Sequence, residues 1–437
     1  MQSTTQPVYC HTSAELTDLD LAARIPTRSV STMKRSARLP CLQISGHTVG
    51  LRERRVEDPP LADPGAPASS SMSVSPTPRA AGLAGKAQAA LTPALLGKVG
   101  LFLVSLFLFI LALTLMKEGA SGFSSLVRDR FAITGILDSL GFGWLCAYLL
   151  MSGSPVAATA LTFFNAGILS QMSTYAMITG SRLGASFIVL SIGFIYVLRG
   201  RDRSTSLGMG LLSLAVTGST HLLSMVIGLK ALEATLPDSL YLRSDVAHGP
   251  ATDMAFDPIM GSLLRSVPHW SLFLVGLGIM LASFHLFDRC LPQMAIKSSH
   301  VGGVSQLVYR RWVMFLLGAA VTLISMSVSV SLGILVPLSN RGFVRRENVV
   351  PYIMGANITT FIDTLLASVL LGNPAALTIV LIQMTSITLV SAVILATAYR
   401  PYERSVLRFT GWVTANNRGL IVFMLSIFVI PIVLMLL

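Results

Sequence analysis

Apolar runs of membrane-crossing length decide what this chain can become. Leu101 to Leu115, Ile379 to Ala396 and Leu420 to Leu437 approach or reach the roughly 20 apolar residues that cross a hydrocarbon core. In lipid the backbone finds no water, so each run must satisfy its own hydrogen bonds and folds as a helix. Hydrophobic residues make up 53% of the chain and charged ones only 12%, far from a soluble average. Seven full crossings are read at 97–116, 173–198, 207–229, 270–290, 350–371, 376–398 and 420–437. Two further apolar stretches, 135–168 and 312–340, are interrupted by Gly, Pro and paired serines. These read as re-entrant helical hairpins that enter and leave on one side.

The distribution of charge tests that reading. A net charge of +12 would suit a nucleic-acid binder, but the Arg and Lys residues sit mostly between apolar spans, where topology explains them. The expected partner is the lipid bilayer, with no nucleic acid. With the N-terminal segment inside, the cytoplasmic loops collect Arg199, Arg201 and Arg203, then Arg289, Lys297, Arg310 and Arg311. They also hold Arg341, Arg345 and Arg346, and finally Arg400, Arg404, Arg408 and Arg418. The outer loops hold fewer, Lys117, Arg128 and Arg130, then Lys230, Arg243 and Arg265, and the long outer loop is mainly acidic, with Glu233, Asp238, Asp245, Asp253 and Asp257. Counting the hairpins as full spans would put the Arg199–Arg203 cluster outside. The positive-inside bias therefore selects the hairpins, and with them a multi-pass protein of the cytoplasmic (inner) membrane with a cytoplasmic N-terminus.

Residues 1–94 are rich in Ser, Pro, Thr and Arg and show no sustained apolar periodicity, so they are expected to form a disordered basic tail. No apolar signal core stands at the start, and the first span must direct insertion. The stretch Arg24 to Leu51 has the Arg-rich, acid-poor composition of an organellar transit peptide, and Met72 offers an alternative start; the sequence leaves both open. The rest divides into a first transmembrane repeat at 95–232, an extracytoplasmic loop at 233–268 and a second transmembrane repeat at 269–400. A basic loop and C-terminal transmembrane helix occupy 401–437. Cys10, Cys41, Cys146 and Cys290 are scattered and make neither a metal spacing nor a disulfide framework.

The division into repeats rests on self-similarity. A slide of 175 positions, which carries Ser154 onto Ser329, also matches Gly143 with Gly318, Met151 with Met326 and Ser152 with Ser327. It further matches Asn165 with Asn340, Gly167 with Gly342, Ile178 with Ile353 and Gly180 with Gly355, all without a gap. Each half contributes three crossings, an odd number, so the second half begins on the opposite side. The fold class expected is an all-α polytopic membrane protein with two inverted-topology repeats, each containing a re-entrant hairpin. That pattern points to alternating-access transport with the site near the midplane.

Within the first hairpin, Met151-Ser152-Gly153-Ser154-Pro155 breaks the helix, because Gly weakens it and Pro removes a donor. The break frees N–H groups at a new helix start, with two hydroxyls beside them, which suits a small anion. The second hairpin repeats it as Ser325-Met326-Ser327-Val328-Ser329-Val330-Ser331. Close packing of small residues in lipid is the rival account for one hairpin alone. Arg182 lies nine residues into its span, about 13 Å deep at the helical rise. Asp363 lies eight residues from the outer end of its own, about 12 Å deep. Charges so deep are paired or functional, and the equal depth predicts an Arg182–Asp363 ion pair. Gln383, with Thr385 and Ser386, sits on the next helix and faces either the same cavity or a neighbouring helix. His221 and His285 are lone membrane histidines. Pairing Ser154 with His221 as a protease lacks any oxyanion hole, so no enzyme is expected.

The two Ser-rich hairpins, and the segment Gly355-Ala356-Asn357-Ile358-Thr359-Thr360 after the second, resemble the type II sodium-dependent phosphate cotransporters. The family pattern is Gln-Ser-Ser-Ser followed by Gly-Ala-Asn-Ile-Gly-Thr-Thr in each repeat, and the likeness covers roughly residues 97–400. It implies sodium-coupled symport of phosphate, with Ser152, Ser154, Ser327, Ser329, Asn357, Thr359 and Thr360 in the binding site and sodium as the coupling ion. Met151 and Met326 stand where the family has Gln, Gly153 and Val328 replace the middle serine, and Arg182 stands where the first repeat would carry Asn. Arg182 then either neutralises an anionic substrate or takes the place of a sodium ion. The reading reached is a secondary active transporter of a small oxyanion; the alternative is a non-transporting membrane scaffold or sensor locked by Arg182 and Asp363. Oligomeric state is not legible.

Overall fold

The computed structural model describes residues 79–124, 127, 133, 135–235, 268–290, 310–340 and 346–437. For 79–96, Thr235, Ser329 and Asn340 the backbone alone is described. Every element among the described residues is helical, and seven helices are long and apolar enough to cross a membrane. The chain is thus an all-helical protein suited to a bilayer.

The first helix, α1 (Arg79–Gly119), is followed by the short pair α2 (Ile136–Leu150) and α3 (Ser154–Asn165). Then come α4 (Gln171–Ala185), α5 (Phe187–Leu198) and α6 (Arg203–Thr235). The second half opens with α7 (His269–Cys290), followed by α8 (Arg311–Ser325) and the short α9 (Val328–Gly333) and α10 (Leu335–Asn340). It continues through α11 (Arg346–Thr359), α12 (Ile362–Leu370) and α13 (Pro374–Val393) to α14 (Tyr399–Ala415) and α15 (Asn417–Leu436). At 15 and 12 residues, α2 and α3 measure about 22 and 18 Å, too short to cross alone.

Two boundaries differ from the sequence reading. Residues 1–78 of the expected tail lie outside the described residues, as do 236–267 of the expected outer loop, but α1 begins at Arg79. The stretch 79–92 is rich in Ala with Lys, Gln and Leu, all good helix formers, and simply extends the first span. The expected basic loop after residue 400 is helix as far as Ala415. Val406, Thr410 and Val413 are buried on one face while Arg400, Arg404 and Arg408 are exposed on the other. Pro401 falls in the first turn of α14, directly after the π-helical turn Ile394–Ala398 that carries the chain on from α13.

The slide of 175 positions reappears in the packing. A Cβ on Gly143 would overlap the Met177 carbonyl, and one on Gly318 would overlap the Tyr352 carbonyl. Gly180 meets the Leu140 carbonyl in the same way, and Gly355 that of Phe315. These four glycines let α2 lie on α4, and α8 on α11, backbone against backbone. Met151 and Met326, which end α2 and α8, both adopt a left-handed conformation with φ of 48°. At the first of them Ser152 N–H bonds the Ala147 carbonyl at 3.2 Å, closing a Schellman-type stop.

Cross-links tie the halves together. On α1 and α7, Ser105 and Ser283 each donate to the other's carbonyl at 2.8 Å. Asn373 donates to Asn165 Oδ1 at 3.1 Å, and Arg346 to the Ser204 hydroxyl at 3.2 Å. Beside Ser204, Asp202 accepts from the Thr205 N–H at 2.7 Å; hydrogen bonding to Thr205, and behind it the charge of Arg346, holds this carboxyl below the usual range.

Candidate functional site

The helix breaks of both halves face a single cavity of about 260 Å³. Met151, Ser152, Gly153 and Ser154 line it from the first half, and Met326, Ser327 and Val328 from the second. Arg182 of α4 and Thr360, just past α11, complete one wall, and Leu281, Phe284, His285 and Asp288 of α7 form another. Arg182 is buried, the three serines are half-buried, and His285 and Asp288 are exposed, so the space is blind at the arginine and open at the acid.

Local sequence explains why these groups arrive there. Gly153 precedes α3, and Pro155 occupies its first turn, where a missing N–H costs nothing. Ser327 caps α9 by accepting from the Val330 N–H at 3.3 Å. Ser327 and Asp288 of α7 line the same cavity, so the second break opens beside that acid. The side chains of Ser152 and Ser154 flank the start of α3, whose N–H groups carry the positive end of a helix dipole.

Arg182 is the centre of charge. Its Nη1 donates to Thr360 Oγ1 at 3.1 Å and its Nη2 to Asp363 Oδ1 at 3.2 Å. Nη2 also bonds the Thr364 hydroxyl, which in turn donates to Asp363 Oδ1 at 2.9 Å. Phe361 lies under the guanidinium, 4.8 Å from its ring centroid. The expected ion pair is therefore present, with the two side chains 3% and 4% exposed. Among the described residues Arg182 Nε and Asp363 Oδ2 are buried without a partner. A buried pair in such a place must recover the large cost of leaving water, and the two threonines and the ring supply part of that.

Of the residues singled out in the sequence, Ser152, Ser154, Arg182, Ser327 and Thr360 line the cavity. Asp363 is placed behind Arg182 and holds it. The others do not line it. Asn357 turns to α6, where its Oδ1 accepts from Thr217 at 3.3 Å. The Thr359 hydroxyl bonds back to the Gly355 carbonyl at 3.4 Å. Gln383 donates to the Tyr175 carbonyl at 3.1 Å and to Thr179 at 2.7 Å, so the helix-contact account of this residue holds. Ser329 falls outside the described side chains. His221 is buried, its Nδ1 3.0 Å from the Thr217 carbonyl and its ring stacked on Phe361, clear of the cavity lining.

Asp288 was not singled out from the sequence, and His285 only as a lone histidine. Their spacing of three residues, one face of one helix, was the available signal. No family model, no curated protein and no solved structure matches this chain.

Proposed function

We propose that this chain is a secondary transporter of a small oxyanion, built from two halves of opposite orientation that alternate access to a central site. The observation that carries the reading is the single cavity in which the Met151–Ser154 break, the Met326–Val328 break and the buried Arg182 meet. Its 260 Å³ lies below the range that accommodates drug-sized ligands, which suits an ion with a little water. Hydroxyl donors at a helix start and a guanidinium are the groups that recognise phosphate-like oxygens. The coincident glycines and methionines at a spacing of 175 support duplication, and three crossings per half together with the loop charges support inversion and two re-entrant hairpins. The resemblance to type II phosphate cotransporters adds phosphate as substrate and sodium as the coupling ion. The proposed setting is the cytoplasmic membrane, N-terminus inside.

Arg182 itself takes the place of one sodium ion: it brings a fixed positive charge to a wall where the family has Asn. A scaffold or sensor is the second reading, and what favours it is that Asp363 already neutralises Arg182. Uptake of labelled phosphate by proteoliposomes holding the full chain separates the two. The transporter reading expects uptake above protein-free vesicles, strongly reduced in Arg182→Asn and partly kept in Arg182→Lys, with folding checked by gel filtration. Absence of phosphate, sulfate or arsenate flux under every imposed gradient would leave the scaffold.

A further inference from the structure

The charges facing the cavity do not balance. Arg182 is neutralised by Asp363, and that is the one ion pair among the described residues. Among the described residues Asp288 remains at the open end with no basic partner at ion-pair distance, one helical turn after His285. Among the described residues the space therefore carries an uncompensated negative charge, which a transported anion would meet. An oxyanion and a carboxylate within one small cavity repel unless a cation enters as well.

We infer that Asp288, with His285 one turn before it, is the coupling site, and that the cation it takes is a proton. The inference rests on the transport reading above and departs from it in one respect: a proton takes the place of sodium as the coupling ion. Two observations favour a proton over a metal cation. Hard cations are held by several oxygens at once, usually with more than one carboxylate, whereas among the described residues Asp288 is the one carboxylate lining the cavity. The other polar group that α7 brings to the cavity is the His285 imidazole, the kind of side chain proteins use to relay protons. Arg182 is the other charged side chain on the cavity wall. Arg289 follows Asp288 in α7 but does not line the space, and α3, packed on α7, carries no titratable residue. On α1, which packs along α7, Lys98, Lys117 and Glu118 do not line the space either. Ser327 connects this event to the rest of the site. It lines the same cavity as Asp288 while capping α9, so a change of charge at the acid falls beside the second helix break.

The test uses the full chain in proteoliposomes with labelled phosphate as probe, without sodium, under an imposed inward proton gradient. Accumulation is expected to rise about tenfold per pH unit for one proton per anion. In Asp288→Asn the ratio of uptake with and without the gradient should fall to about one, while Asp288→Glu, which keeps the acid, should recover part of it. In parallel, modification of Asp288 by a carbodiimide, read by mass spectrometry, should follow pH and ignore sodium. Sodium protecting Asp288 at fixed pH, or equal responses to the gradient in wild type and Asp288→Asn, would overturn the inference. Failure of the transport reading looks different: no phosphate crosses under any gradient, yet Asp288 reactivity still follows pH, and the proton site stands.

Discussion

The break after α2 and the break after α8 share a backbone and differ in chemistry. Both close on a methionine at φ of 48°, and both helix pairs are clasped by two glycines at equivalent positions. The side chains then diverge. Arg182 corresponds to Asn357, and Asp363 corresponds to Ile188, so each half carries one member of an ion pair and an uncharged residue where the other half has its charge. Ser327 caps the helix after the second break, whereas its counterpart Ser152 precedes the first helix's N-cap, Gly153, which offers no side-chain cap. The lesson is that symmetry here resides in close packing, which tolerates no change, whereas the cavity wall is free to become asymmetric.

Four experiments break or sharpen that comparison. The largest effect belongs to Arg182→Asn, which gives the first half the residue of the second. It strands the Asp363 carboxylate and should destabilise the chain by about 3–5 kcal/mol in detergent melting. Adding Asp363→Ile, the residue of the first half, should recover most of that loss. A single variant melting like wild type would show that the pair does not hold the halves together. Next come Gly180→Ala and Gly355→Ala, each forcing a methyl into a carbonyl and costing about 1–3 kcal/mol. Sensitivity confined to one of them would end the positional equivalence.

Smaller effects probe the breaks themselves. Ser327→Ala should cost about 1 kcal/mol through the lost cap, against under about 0.5 kcal/mol for Ser154→Ala. Equal losses would mean that the capping difference has no energetic content. Smallest of all, Met151→Gly and Met326→Gly should each raise stability by up to about 1 kcal/mol, because glycine accepts the left-handed conformation without strain. Chemical denaturation of the two variants should give matching shifts.

Much of this was legible in the sequence because it depends on local properties. Span positions follow from apolar length, and the breaks follow from Gly153, Pro155 and the paired serines. The Arg182–Asp363 pair was legible because helical rise is a linear ruler and both residues lie at the same depth. Rotation about a helix axis has no such ruler. Asn357, Thr359 and Gln383 were expected at the cavity, yet packing turns them to Thr217, the Gly355 carbonyl and Tyr175 with Thr179. Asp288, beside Arg289 at the end of an apolar run, reads as an ordinary boundary charge; its place at the open mouth of the cavity is set by tertiary packing. The basic stretch of α14 misleads for a related reason. Pro401 and its arginines resemble a loop, while the buried positions Val406, Thr410 and Val413 that fix the helix are spaced too sparsely to register as a span.

The glycine clasps limit how this molecule can change shape. Where two backbones touch with no side chain between them, neither helix can slip along its neighbour without driving a methyl-bearing residue into a peptide plane. The α2–α4 and α8–α11 pairs are therefore stiff blocks, and the Arg182 guanidinium reaches from the first to Thr360 and Asp363, just beyond the end of the second.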